Sequence, residues 1–184
     1  MLFIIEHLED DVHDWCLLEY RHMSKVVGPT NLWFTNVQKG GEKLAGLGKV
    51  VAESVTTLGL KNICLLDLVA PRELQAVDGK EFEYFVFGGI LGDHPPRGRT
   101  RKLRETLQAP TRHLGDRQMS TDTAVLVTKM ILEGTPLANI SFVDDITIPT
   151  GEGEEVQLPY RYVLKDGMPV LPEGMIEHLK KDEF

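Results

Sequence analysis

The chain is poor in cysteine, in aromatic residues and in long apolar runs. Of its 184 residues only two are cysteines, Cys16 and Cys64, and they form no CxxC pair. Disulfide scaffolds and zinc fingers are thereby excluded, and a reducing compartment is expected. No stretch approaches the roughly 20 apolar residues a membrane-spanning helix requires. The apolar run in MLFIIEHLEDDV is short, lacks a basic leader and runs directly into acid, which reads as a first strand and not as a signal peptide. Positive charge is also scarce, with 20 Lys and Arg against 28 Asp and Glu for a net charge of −8. Autonomous nucleic-acid binders usually carry the opposite balance, because phosphate neutralisation supplies much of their affinity. Internal repeats and low-complexity tracts are missing too.

What is present fits one compact domain: 42% hydrophobic and 26% charged residues in a chain long enough to bury a core. The charge is uneven. Residues 1–27 hold six acids and two bases, residues 151–184 eight acids and four bases, and residues 88–118 seven bases and three acids. A solvated helix face at RTRKLRE and a functional basic patch (Arg97, Arg99, Arg101, Lys102, Arg104) both account for that middle segment.

LFIIE (2–6), NLWFT (31–35), NICLLDL (62–68) and EYFVFGG (83–89) have strand length, and the last is continuously apolar, as strands of doubly covered parallel sheets are. Cys16, Tyr20, Met23 and Val27 form one stripe on a helix over residues 12–27, stopped by Gly28-Pro29. One helix is predicted from about Glu42 to Leu58 and a short basic one at 99–107. A helix capped by Ser120 should run to Glu133, with Ala124, Val127 and Ile131 inward. ISFVDDITI and QLPYRYVL suggest a hairpin across GEGEE, and LPEGMIEHLKK a final helix. Strands alternating with helices predict an α/β fold with a mostly parallel sheet.

Unusual residues concentrate in FGGILGDHPPRGRT (87–100), where a buried strand ends in glycines. Ligands of open parallel sheets bind beyond the carboxyl ends of the strands, and glycine lets backbone approach them. The order GGxxG followed by Pro-Pro is not the dinucleotide fingerprint, and no Gly-Lys-Ser/Thr follows for a P-loop. Asp93, His94 and His113 lack metal-ligand spacing, so no metal is expected. LGDRQMSTDTA (114–124) is the second concentration, a polar turn opening a helix with free N–H groups.

These two segments resemble the SPOUT methyltransferases, through Arg112-His113-Leu114-Gly115 and Thr121-Asp122-Thr123-Ala124. The likeness is greatest to the fungal branch that methylates an arginine of a small-subunit ribosomal protein. IIEH (4–7), EY (19–20), CLLD (64–67), YFVFGGILGDHPPR (84–97), LGDRQMSTDTA, PYRYVL (159–164) and LPEGM (171–175) carry it; residues 36–60 do not. The resemblance implies an α/β fold, a SPOUT-like mostly parallel sheet flanked by helices with a C-terminal trefoil knot. It implies a single domain over 1–184, with the knot at about 62–145 and an extension at about 146–184.

S-adenosyl-L-methionine is the implied cofactor, an arginine of a ribosomal protein the implied acceptor, and the cytoplasm the expected location of the chain. Its site would comprise Leu66 and Asp67; Phe87, Gly88, Gly89, Gly92, Asp93 and His94; and Leu114, Gly115, Met119, Thr121 and Thr123. Leu114 and Met119 would wall the site. Carboxylates near the methyl group would orient a guanidinium and assist loss of its proton, and Asp93, Asp116 and Asp122 are the candidates. The acidic ends, including Glu9, Asp10 and Asp11, suit a basic peptide. Two other readings stand beside this one: an RNA methyltransferase using the basic patch, and a non-catalytic module binding cofactor or ribosome. Monomer and homodimer both remain open.

Overall fold

The structure, a computed structural model, describes residues 1–89, 99–151 and 153–181. Six strands form one parallel sheet: β1 (Leu2–His7), β2 (Leu32–Thr35), β3 (Lys49–Val50), β4 (Ile63–Leu66), β5 (Tyr84–Gly89) and β6 (Thr111–Arg112). Their spatial order is β3-β2-β1-β5-β4-β6, so β1 and β5 are central and every carboxyl end points to the same edge. The continuous apolar runs follow from burial on both faces. Phe3, Ile5, Cys64, Leu66, Phe85 and Phe87 meet α1 (Asp14–Val27) and α4 (Thr121–Leu132) on one side. Ile4, Ile63, Leu65 and Val86 meet Leu103 of α3 (Arg99–Leu107) and Val55 on the other.

The predicted stripe Cys16, Tyr20, Met23 and Val27 is buried as expected, and Val125, Val127 and Ile131 of α4 lie in the same core. The short α2 (Asp78–Glu81) precedes β5. A second sheet is antiparallel: β7 (Phe142–Gly151), β8 (Glu154–Lys165) and β9 (Met168–Pro169). Ile148, Leu158, Tyr160 and Tyr162 of this hairpin pack with Met175 and Leu179 of α5 (Met175–Lys181). Trp15 and Leu18 of α1 join that cluster, so α1 is wedged between two cores. No helix among the described residues is long and apolar enough to cross a membrane.

Two local expectations are corrected. No helix spans 42–58; two 3₁₀ turns, Gly41–Leu44 and Val55–Thr57, flank β3 on the sheet edge. Gly46 sits at φ +79°, which breaks the helical path, and Gly48 lies against β2. A Cβ on Gly48 would fall 2.5 Å from the Leu32 carbonyl oxygen, a backbone atom that cannot swing away. Gly48→Ala is therefore expected to lower the urea midpoint by the equivalent of about 1–3 kcal/mol. An unchanged midpoint would mean that the edge strand relaxes freely. Ser120 occupies the start of α4, but its hydroxyl donates to Thr123 Oγ1 (2.8 Å) and caps no backbone N–H.

Candidate functional site

Strands β5, β4 and β6 are neighbours, so their carboxyl ends lie side by side at one edge of the sheet. Leu66 ends β4 with its side chain in the core. Asp67 follows, donating its N–H to the Arg112 carbonyl (2.9 Å), while its carboxylate accepts from the Val69 N–H (3.2 Å) and Arg104 Nη1 (2.7 Å). Phe87 faces the core and stacks on Phe3 at 6.3 Å, which leaves only its backbone to the edge. Gly88 and Gly89 lie in register with Glu6 and His7. Gly92, Asp93, His94 and Arg97 lie outside the described residues, as does the side chain of Arg99.

The turn into α4 is the best-defined part. Gly115 has φ +101°, a conformation that favours glycine, and its N–H donates to His113 Nδ1 (3.1 Å). His113 thus staples the turn, and no metal-holding group of His, Cys, Asp and Glu occurs among the described residues. Leu114 and Met119 are half-buried against the main core, and Thr121 and Thr123 are buried in the first turn of α4. The two described carboxylate candidates part company. Asp116 is 91% exposed, 3.8 Å from Arg161 Nη1. Asp122 is 1% exposed, and its Oδ2 lies 2.7 Å from His22 Nδ1. Its buried Oδ1 has no partner among the described residues.

Beside Asp122 stands a residue that sequence reasoning missed. Glu19, 5% exposed on α1, accepts from Trp15 Nε1 (2.9 Å). Desolvation pushes its carboxyl well above the usual range and the Asp122 charge adds to that, against the opposing hydrogen bonds from Trp15 and the Asp122 backbone. Burial, followed by Asp122 and Glu19, also pushes the Tyr162 hydroxyl up. A readable signal existed: Glu19 sits three residues after Cys16 and four before Met23, on the apolar stripe, where an acid has no solvent to meet. His7 was missed as well. Its Nδ1 meets the Tyr20 hydroxyl at 2.8 Å, burial lowers its pKa, and its Nε2 has no partner among the described residues.

Glu19 gives the fold a pH signature. Glu19 in the unfolded chain titrates near 4.5, and in the fold well above it, so its cost to stability is absent below the lower value and grows as pH rises through the interval. Glu19→Gln removes this slope. Its melting temperature relative to the parent is expected to rise from pH 4 to pH 8; a difference independent of pH would show that Glu19 titrates alike in both states.

Two members of the basic patch are engaged. Besides the part-buried Arg104–Asp67 pair, Arg101 Nε donates to Glu105 at 2.8 Å on the exposed side of α3.

Comparison with known proteins bears on this arrangement. Residues 2–184 match the family described as protein arginine N-methyltransferase SFM1-like. Protein arginine N-methyltransferase SFM1 of Saccharomyces cerevisiae is 39% identical over 203 residues, covering 99% of this chain and 95% of that one. Among solved structures, yeast arginine methyltransferase SFM1 complexed with SAH superposes with a TM-score of 0.90 at 36% identity, covering 97% of this chain and 94% of that one. The same enzyme complexed with SAM gives 0.90 at 37%, covering 98% and 90%. The mostly parallel sheet expected from the sequence is thus that of SPOUT methyltransferases.

Proposed function

The chain belongs to the SFM1-like protein arginine N-methyltransferase family, and from that premise we propose that it transfers the methyl group of S-adenosylmethionine to an arginine of a small-subunit ribosomal protein. The observation that carries this reading is the buried acid pair Glu19 and Asp122 at the start of α4, with one carboxylate oxygen lacking a donor among the described residues. A buried carboxylate with an unpartnered oxygen, beside a carboxyl that desolvation holds well above the usual range, is suited to a cationic, multi-donor guest, and a guanidinium is one.

The cofactor supplies an activated methyl group. The residues at the carboxyl edge suit its adenosyl part: Gly88, Gly89 and Gly115 keep backbone accessible, and Leu114 and Met119 offer apolar walls. Leu66, Phe87, Thr121 and Thr123 would contribute backbone, since their side chains are buried. Asp67 would shape its turn through Arg104. Gly92, Asp93 and His94 complete the proposed loop.

A protonated guanidinium has no free lone pair, so it must lose a proton as it takes the methyl group. Asp122 accepts that proton, while His22 on Oδ2 fixes the carboxylate's orientation. Asp93 and Asp116 remain candidates for orienting the guest from the loops. The same reading takes 1–184 as one domain, with the trefoil threading at about 62–145 and an extension at about 146–184. A cytoplasmic, reducing setting suits the two free buried thiols, whose pKa values burial pushes to about 12.

The test is incubation with methyl-labelled S-adenosylmethionine and stripped small ribosomal subunits. Label that resists ribonuclease and is lost to protease supports the proposal, and acid hydrolysis should return methylarginine. Label lost to ribonuclease would make RNA the substrate. Bound cofactor without any label would leave a binding module.

A further inference from the structure

The turn at 115–119 is tied to the second sheet through Arg161, and Arg117 of the turn adds its charge near Asp144. The backbone N–H of Arg161 on β8 donates to the Gln118 carbonyl at 2.8 Å, and Met119 forms an isolated parallel bridge with Arg161. The side chain of Arg161 is itself immobilised. Nε and Nη2 donate to the two oxygens of Asp144 on β7 at 2.8 and 3.0 Å, a bidentate fork across a register pair, with the guanidinium 5.2 Å from the centre of the Phe142 ring. The register shifts just beyond, between Asp144 and Ile146, where Asp145 takes φ +54°. Such a bulge re-aims the neighbouring side chain, here the acceptor of the fork. The remaining edge of the guanidinium faces the turn: Nη1 is 3.8 Å from Asp116 Oδ1 and 3.7 Å from where a Cβ on Gly115 would stand.

We propose that Arg161, clamped by Asp144 beside the bulge, is a positioning residue that sets the path of residues 115–119 and through them the affinity for the cofactor. This rests on the reading of that turn as part of the cofactor site. A guanidinium held on two edges is a rigid reference against which a glycine-containing turn can be held, whereas an ammonium at the same place offers a point charge without fixed direction. Neither Arg161 nor Asp144 has to touch the nucleoside.

The experiment uses the full chain and three nucleosides: S-adenosylmethionine, its demethylated product, and methylthioadenosine, which lacks the amino-acid part. Arg161→Lys is expected to weaken all three by about tenfold and alike, raising KM for the cofactor while kcat stays within about twofold. Asp144→Asn should do the same, and the double variant should be no worse than either single one, because both remove one clamp. A lowered melting temperature with unchanged affinities would overturn the proposal, leaving Arg161 a stability residue. Loss confined to the two ligands with an amino-acid part would also overturn it, since Arg161 would then bind the ligand directly. Met119→Ala separates the two levels. If it weakens nucleoside binding while Arg161→Lys does not, the clamp fails alone; if neither does, the reading of the turn fails with it.

Discussion

Asp122→Asn is expected to slow methyl transfer by about 100-fold or more, with cofactor affinity and melting temperature nearly unchanged. Asparagine keeps the shape, and its oxygen can still accept from His22, so the buried contact across 100 residues survives. What disappears is the negative charge that holds a guanidinium and takes its proton. The loss should therefore fall on kcat and on KM for the protein substrate. Single-turnover kinetics with saturating cofactor would isolate the step. A loss below about threefold would remove Asp122 from the chemistry and shift attention to the carboxylates of the other loops. The contrast in burial makes Asp122 the stronger candidate over Asp116, since a 91% exposed side chain is hydrated and its charge is screened.

The second large effect concerns stability. Arg112 at the end of β6 and Asp78 at the start of α2 are each 3% exposed and share a fork, with Nε 3.0 Å and Nη2 2.8 Å from Asp78 Oδ1. Asp78 Oδ2 also accepts the Gln75 N–H at 2.8 Å, and Arg112 Nη1 donates to the Thr111 carbonyl at 2.9 Å. Asp78→Ala would leave the buried guanidinium over the Phe82 ring with only the exposed Glu81 carboxylate, 3.9 Å away, as a charge partner, and is expected to cost about 3–5 kcal/mol. In a domain of this size that lowers the melting temperature by on the order of 10 °C. Replacing both partners by apolar residues of similar volume should recover most of the loss, because no charge is left unpaired. Were the double variant as unstable as Asp78→Ala, shape and not charge would govern the site.

Local chemistry made most of the framework legible. The central strands announced themselves because burial on both faces leaves no room for alternation, and α1 because its apolar residues fall on one stripe. The segment 42–58 misled, since its spacing of apolar residues resembles a helix, while Gly46 and Gly48 answer to φ and to the approach of Leu32. The site divides along the same line. Its glycines and the opening of α4 could be read from order along the chain. Glu19 and Arg161 could not, because each acquires its meaning from a distant element: Glu19 from Asp122, Arg161 from Asp144 and the turn at 115–119. Long-range pairs of this kind leave no local pattern, apart from an acid out of place on an apolar stripe.

The wedging of α1 between two cores also dictates a timetable for the growing chain. β1 finds its partner β5 about 80 residues later, and the outer side of α1 finds Tyr162 and Met175 only after β8 and α5 exist. Loops of that length close slowly, and their entropy is spent before any contact repays it. A nascent chain that has exposed its first hundred residues therefore holds Gly88 and Gly89 but neither the far wall of Glu19 nor the 115–119 turn and its anchor. Competence arrives only once residues 142–181 have emerged, so a chain interrupted before them would be inert and would not compete with folded molecules for substrate.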